Sequence, residues 1–173
     1  LSDDHEGIID LPSDAPVGAA YAAWAGLDDP VIEIAITPNR GDCLGVRGIA
    51  RDLAAAGLGT LKPLDVPRTE GRFESATKVS LDFPAGAEAA CPLFVGRAFR
   101  GVKNGESPRW LQDQLRAVGL RPISALVDVT NFVSVDLCRP LHVFDQAKLS
   151  GDLVARFSRP DETLKALDDA EYA

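Results

Sequence analysis

Methionine is absent from this 173-residue sequence, and so is any apolar run of the roughly 18 to 20 residues that a membrane-spanning helix needs. No basic segment followed by an apolar one forms a leader, and since the first residue is Leu1 we expect an upstream segment to have been removed. Glycine-rich phosphate loops and a Ser–His–Asp order are also missing. These absences predict a cytoplasmic protein without membrane contacts, and they leave no self-sufficient catalytic signature.

Cysteine and histidine are scarce. The three cysteines, Cys43, Cys91 and Cys138, are far apart in the sequence, and only His5 and His142 accompany them. No pair has the short Cys-x-x-Cys spacing of a zinc site, so we expect no bound metal. An odd set of free thiols suits a reducing cytoplasm, where cysteine acts as a small buried apolar residue.

Charge is distributed unevenly around a net value of −8. Residues 1–30 contain seven acids and no Lys or Arg, whereas residues 91–125 contain six bases and two acids. A net negative charge normally disfavours nucleic-acid binding, which relies on cations that replace counterions. The basic segment leaves two alternatives open, a solvated basic face or an RNA contact.

Periodicity predicts an α+β fold. Alternation predicts strands at Val31–Ile36, Val79–Phe83, Leu93–Val102 and Leu153–Phe157. An apolar stripe predicts a helix from about Val46 to Leu53, with Asp42 as its N-cap and Gly57 and Gly59 as its end. A second helix is predicted between Ser107-Pro108 and Gly119, with Ser107 as its cap. Asp161-Glu162 marks a turn, and Leu126–Leu137 fits a strand or a helix equally well.

Reactive side chains concentrate in Asp128–Asn131 and in Pro140–Asp145. Taken alone, Thr130 and Asn131 could merely satisfy backbone groups, and His142 could be an ordinary, partly buried histidine. The alternative is that a hydroxyl, a carboxamide and an imidazole hold a polar ligand or a water molecule. Such neutral donors and acceptors suit the binding and hydrolysis of an ester better than metal chemistry.

An ordered series of motifs resembles the β subunit of bacterial phenylalanyl-tRNA synthetases. The series runs through nearly the whole chain: Ser2–Ile9, Ile36–Leu44, Gly48–Asp52, Cys91-Pro92, Gly96-Arg97, Gly101-Val102, Ser107-Pro108, Trp110-Leu111, Gly119–Ile123, Val127–Asn131 and Pro140–Asp145. Each motif is weak by itself, but their order and spacing together are specific. The chain is therefore identified as similar to an internal fragment of that subunit.

The resemblance implies a domain order. Residues 1–26 correspond to the tail of an oligonucleotide-binding-fold insert and residues 27–66 to a small structural unit of a strand and a helix. The Pro, Gly and charged residues between about Lys62 and Ala76 predict a linker, placed at 67–76. Residues 77–173 correspond to the first part of an editing domain with an incomplete mixed sheet, in which Val127–Leu137 is expected to be helical. The pocket of the family also uses residues that follow this segment.

The resemblance also implies a function. In the family, the editing pocket hydrolyses tyrosine that has been attached wrongly to the phenylalanine tRNA, and the matching positions here are Thr130, Asn131 and His142. Candidate tRNA-binding residues are Arg97, Arg100, Lys103, Arg121 and Arg139. Arg139 replaces a usual Gln, and Ala125 stands where Asn is frequent.

The implied parent enzyme is an aminoacyl-tRNA ligase, an αβ heterotetramer. Its α subunit forms the ester, so the ATP and Mg²⁺ of the parent are not expected to bind here. Two alternatives remain: a non-catalytic structural or tRNA-binding module of the same assembly, and a free-standing hydrolase that clears mischarged tRNA.

Overall fold

A computed structural model describes residues 8–166 and 169–172. The helices are α1 (Tyr21–Trp24), α2 (Val46–Ala55), α3 (Arg109–Ala117) and α4 (Ala125–Leu137). The strands are β1 (Val79–Asp82), β2 (Leu153–Arg156), β3 (Leu164–Lys165) and β4 (Glu171–Tyr172). Single 3₁₀ turns occupy Gly41–Cys43, Glu88–Ala90 and Gln146–Lys148. Helices together with small, open sheets confirm the α+β prediction.

The described chain forms two compact units. The first unit contains the residues up to Leu61 together with Asn104–His142, and the second contains Lys62–Lys103 with the residues from Val143 onward. The predicted boundaries at residues 26, 66 and 76 refer to domains of the family, and compact units defined by contacts do not test them. These boundaries stay a prediction. Leu1–Gly7, in the expected tail of the insert, lies outside the described residues, as do positions 167, 168 and 173.

The first unit is helical, and its core lies where α4 contacts both α3 and α2. Leu111 and Leu115 of α3 are 2% and 1% exposed, so the predicted stripe of that helix is its buried face. Trp110 packs edge-on against Phe132 of α4, with 5.7 Å between the ring centroids. The ambiguous segment is thus a helix, as the resemblance implied.

The second unit contains the strands. β1 and β2 pair in parallel, with Val79 opposite Leu153 and Asp82 opposite Arg156, which confirms both predicted strands. Phe83 and Phe157, just beyond the strands, meet edge-on with 5.1 Å between ring centroids. β3 and β4 form a short antiparallel pair with Leu164 opposite Tyr172.

Two predicted strands are wrong. Residues 31–36 and 93–102 have no strand structure, and Ile32 and Val95 are each 77% exposed. Alternation indicates a segment with one apolar and one polar face. A strand also needs a neighbouring strand with which to exchange backbone hydrogen bonds. Within the described residues, the paired strands are β1 with β2 and β3 with β4.

Both predicted helix caps are also wrong, although α2 and α3 themselves are confirmed. Gly45 and Pro108 occupy the N-cap positions, and neither helix has a side-chain cap. Asp42 binds arginine side chains, and Ser107 donates to Asp128. Gly57 and Gly119 follow the helices in left-handed conformation, with φ of 77° and 80°, as the predicted helix ends require. The turn predicted at Asp161-Glu162 is present.

Among the described residues, no helix is long and apolar enough to cross a membrane.

Candidate functional site

Helix α4 carries the first part of the candidate site, and Asp128 anchors this helix. This carboxylate is 1% exposed and accepts hydrogen bonds from the Ser107 hydroxyl and, at 2.8 Å, from the Ile123 backbone N–H. Burial alone would raise the pKa of Asp128, but the Ser107 hydroxyl and the N–H groups of Ile123 and Ser124 outweigh it and lower the pKa. Asp128 is therefore an ionised structural anchor that joins the starts of α3 and α4.

Thr130 and Asn131 follow on the same helix, and both side chains are half-buried. The Thr130 hydroxyl donates to the Val127 carbonyl at 2.7 Å, a local bond within the helix. Consecutive helical residues point about 100° apart, so the two side chains face different directions around α4. This local bond satisfies a backbone group, which is the structural alternative given above for Thr130. It leaves the hydroxyl oxygen able to accept a further hydrogen bond.

The chain leaves α4 through Cys138, whose left-handed φ of 53° ends the helix. The Ser134 hydroxyl lies 2.8 Å from the Thr130 carbonyl and 3.2 Å from the Arg139 carbonyl. Arg139 and His142 are both exposed. The alternative of an ordinary, partly buried histidine therefore does not describe His142.

The structure thus places Thr130, Asn131 and His142 in one compact unit, on α4 and on the segment that follows it. The catalytic assignment stays a prediction. Two clefts among the described residues are lined by residues other than Thr130, Asn131 and His142. The smaller cleft, of about 210 Å³, lies between residues 25–31 and α3, and the larger one is basic and belongs to the second unit.

The turn before α2 contains an arginine-centred cluster that the sequence did not reveal. Arg40 forms ion pairs with Asp42 at 3.0 Å and with Asp52 at 2.7 Å, and it donates to the Cys43 sulfur at 2.8 Å. Arg51 also pairs with Asp42. The hydrogen bond from Arg40 is the main reason that the pKa of Asp42 falls to about 2, while burial raises the pKa of the Cys43 thiol.

Asp42, Cys43 and Asp52 have side chains of the kinds that bind metal ions, and their potential ligand atoms lie within 4.8 Å of one another. The set does not fit Mg²⁺, because a thiol is a poor ligand for a hard cation. The Arg40 guanidinium already supplies positive charge to both carboxylates. The cluster therefore has the chemistry of a structural ion-pair network.

Two glycines let this turn lie close to its neighbours. A Cβ atom on Gly45 would lie 2.6 Å from the Cys138 nitrogen and 2.9 Å from the Val135 carbonyl oxygen, and one on Gly48 would overlap the Asp42 carbonyl. The Cys138 sulfur lies 3.0 Å from the Gly41 carbonyl oxygen. The segment from Arg40 to Gly45, hereafter the arginine turn, is thus in direct contact with the end of α4.

The second unit has an open basic cleft of about 570 Å³. Its lining includes Arg68 and Arg97, and the Arg97 guanidinium donates to the Thr69 carbonyl. In the same unit, Arg100 stacks on the Phe73 ring, 4.1 Å from the ring centroid. Because the sequence predicts a linker at 67–76, Arg68 and Phe73 are not among its candidate residues. The signal that could indicate them is the basic and aromatic pattern of Arg68, Arg72 and Phe73.

The remaining candidate RNA contacts are exposed side chains. Lys103 belongs to the second unit with Arg97 and Arg100, whereas Arg121 and Arg139 belong to the first. An exposed Lys or Arg can contact phosphate, and equally it can be solvated. These five tRNA-binding assignments stay predictions.

Comparisons with known proteins give consistent matches. Residues 90–173 match the family described as B3/4 domain. The chain is 59% identical over 172 residues to the phenylalanine–tRNA ligase β subunits of Brucella abortus (strain 2308) and Paramagnetospirillum magneticum. It is 58% identical over the same length to that of Nitrobacter winogradskyi. Each match covers 99% of this chain and 21% of the relative, so the chain spans about a fifth of the length of these relatives.

Proposed function

Because the chain belongs to the phenylalanine–tRNA ligase β-subunit family and matches one segment of it, we propose that this segment contributes to hydrolytic editing of tyrosine mischarged onto phenylalanine tRNA. The observation that supports the proposal most is the match itself, which is 59% identical and covers 99% of the chain. The segment that ends α4 and the residues from Pro140 to His142 lie within the B3/4 match.

Editing answers a physical problem. A pocket that is built for phenylalanine cannot strongly exclude an analogue that merely adds a hydroxyl, and its discrimination is limited to roughly 10²-fold. A second site that hydrogen-bonds the hydroxyl and cleaves the ester supplies the remaining selectivity. The residue types for such a site are neutral donors and acceptors, as found at Thr130, Asn131 and His142.

The three residues have different proposed roles. Asn131 and Thr130 orient the aminoacyl group or the attacking water. The Thr130 hydroxyl oxygen accepts a hydrogen bond from the ligand while its O–H continues to donate to the Val127 carbonyl. His142, which is exposed, hydrogen-bonds the ester or the terminal ribose. Asp128 is excluded from these roles, because its carboxylate is buried and already bound.

Contact with tRNA is the second part of the proposal. The basic cleft presents Arg68 and Arg97, and the same unit contains the Arg100–Phe73 stack. Cations together with an aromatic ring are the groups by which proteins bind single-stranded RNA. Lys103, Arg121 and Arg139 are further candidates. The partners are the α subunit, in an αβ heterotetramer in the cytoplasm, and phenylalanine tRNA; ATP and Mg²⁺ serve the ester-forming step on the α subunit.

A specific observation keeps the alternative of a non-catalytic module. The Thr130 hydroxyl already has a partner in its own helix, as a purely structural threonine would. In that case, this segment would shape the assembly and guide RNA through the basic cleft, and hydrolysis would depend on other residues.

The test is hydrolysis of tyrosylated phenylalanine tRNA by the complete αβ enzyme with His142→Ala. We expect hydrolysis to fall at least about tenfold, since positioned polar groups contribute factors of this order or larger. Formation of phenylalanyl-tRNA, measured on the same sample, should stay at the wild-type rate and serves as the control for folding. Unchanged hydrolysis would favour the non-catalytic module.

A further inference from the structure

The arginine turn touches the end of α4 at two points. The Cys138 sulfur contacts the Gly41 carbonyl oxygen at 3.0 Å. At Gly45 the backbones lie so close that an added Cβ would be 2.6 Å from the Cys138 nitrogen. Because real Cβ atoms do not approach backbone atoms this closely, any side chain at position 45 must displace either the turn or the helix end.

The turn is braced by charged groups. Arg40 bridges Asp42, in the turn, and Asp52, in the middle of α2, and Arg51 of α2 pairs with Asp42 from the other side. The Cys43 backbone N–H donates to the Arg40 carbonyl at 2.8 Å, which closes the turn. Since both anchoring residues of α2 are helical, the turn is held in a fixed relation to that helix.

The helix end determines where the chain goes next. Cys138 leaves the helix in the left-handed conformation, a backbone state that directs the following residues away from the helix axis. His142 lies four residues later, within about 14 Å of chain from Cys138. A shift of the helix end is therefore passed directly to Arg139–His142.

We propose that Arg40 and Gly45 are positioning residues for the hydrolytic site, in which the arginine turn fixes the direction of the Cys138–His142 segment. The inference rests on the proposed function, because positioning is defined by what His142 does. Neither residue touches the substrate in this proposal. Arg40 makes the turn rigid, and Gly45 permits the close contact through which the turn holds the helix end.

The decisive variant is Gly45→Ala in the complete αβ enzyme. We expect kcat for hydrolysis of tyrosylated phenylalanine tRNA to fall roughly 10- to 100-fold with KM little changed, because a displacement of about 1 Å can cost 10²-fold. Gly59→Ala is the matched control: a Cβ there meets nothing within 4 Å, and its rate should stay at the wild-type value. Equal kcat in Gly45→Ala and wild type would overturn the proposal.

A double variant separates positioning from general destabilisation. If Gly45 acts through His142, then Gly45→Ala should add less than about twofold to the loss already caused by His142→Ala. A loss that multiplies in full would overturn the proposal. Arg40→Gln provides a second route if Gly45→Ala does not fold, and it should show the same non-additive behaviour with His142→Ala.

Hydrogen exchange distinguishes failure of this inference from failure of the proposed function. Gly45→Ala should speed exchange at the amides of the last turn of α4, Ser134–Leu137, while those of α3 keep their protection. If His142→Ala leaves hydrolysis unchanged, the proposed function is wrong, and the exchange pattern alone then decides whether the turn holds the helix end. Faster exchange throughout α3 and α4, or no change in the last turn of α4, would overturn the positioning role.

Discussion

The Ser107 hydroxyl donates to the Asp128 carboxylate, and this buried bond connects the residue before Pro108 with the first turn of α4. Ser107 is 5% exposed and Asp128 is 1% exposed, so water does not compete for either group. Asp128 also accepts from the Ile123 N–H, which fixes the loop between the two helices. A single carboxylate thus holds α3, the loop and α4 together, and α4 carries Thr130 and Asn131.

Replacing this carboxylate should loosen the helix pair. Asp128→Ala removes the acceptor and leaves the Ser107 hydroxyl and the Ile123 N–H buried without it, for which we expect a loss of about 2–4 kcal/mol. Hydrogen exchange of the α3 and α4 amides in the intact β subunit measures the change in opening free energy. The matched control is Asp136→Ala, on the same helix but absent from the buried set, which should change protection by less than about 0.5 kcal/mol. Equal protection in both variants would contradict the anchoring role.

The arginine turn should titrate at unusually low pH. The hydrogen bond from Arg40 holds the pKa of Asp42 at about 2, against an ordinary value of 3.8. Because the folded pKa is the lower one, the ionised carboxylate stabilises the fold above about pH 4, and this contribution is lost as the pH falls through 2.

Carboxyl-carbon NMR measures this pKa directly. Arg40→Gln should return the Asp42 pKa toward 3.8, since it removes the first cause of the shift. Glu162 provides an internal reference, because its pKa is lowered to about 2 by Arg156, a partner that Arg40→Gln leaves untouched. A pKa of Asp42 that stays near 2 in the variant would assign the shift to Arg51 instead.

The sequence predicted elements well where the pattern is local, and failed where a distant partner decides. The stripe of Leu111 and Leu115 identified α3 because apolar spacing along a helix is read within the element itself. Ser107 and Asp42 both looked like caps, but each binds residues that come close only in the folded chain. Alternation at residues 31–36 predicted a strand, but among the described residues this segment has no strand to pair with. The alternation itself carries no information about such a partner.

For the candidate site, motif order indicates Thr130, Asn131 and His142, and that assignment stays a prediction. Arg68 is not among the candidates from the sequence, because a segment rich in Pro, Gly and charge is typical of a linker. The cleft that Arg68 shares with Arg97 joins two segments far apart in the sequence. Only tertiary contact brings these arginines to one surface.

The basic cleft should contribute to tRNA affinity through phosphate contacts. In the complete enzyme, Arg68→Ala should weaken tRNA binding and reduce the slope of log affinity against log salt by roughly 1, the value for one lost phosphate contact. Lys78→Ala removes an equal charge from the same unit at a position that does not line the cleft, and its slope should match the wild type. Binding titrations at several salt concentrations decide the matter. Identical slopes for the two variants would exclude a phosphate contact at Arg68.

Thr130 tests whether the hydroxyl on α4 takes part in hydrolysis or only satisfies the helix. Thr130→Val keeps the branched shape and removes the hydroxyl, while the Val127 carbonyl retains its ordinary helical bond from the Asn131 N–H. The structural cost is therefore small, and we expect hydrolysis of tyrosylated phenylalanine tRNA by the complete enzyme to fall about tenfold or more.

Thr130→Ser is the matched variant, because it keeps the oxygen that would face the ester or the water while shortening the side chain by one methyl group. It should retain most of the wild-type rate, with both variants forming phenylalanyl-tRNA normally. If Thr130→Val hydrolyses as fast as Thr130→Ser, the hydroxyl serves only the Val127 carbonyl at 2.7 Å. Orientation of the ester would then fall to Asn131 and His142 alone, and α4 would contribute one polar side chain to the site instead of two.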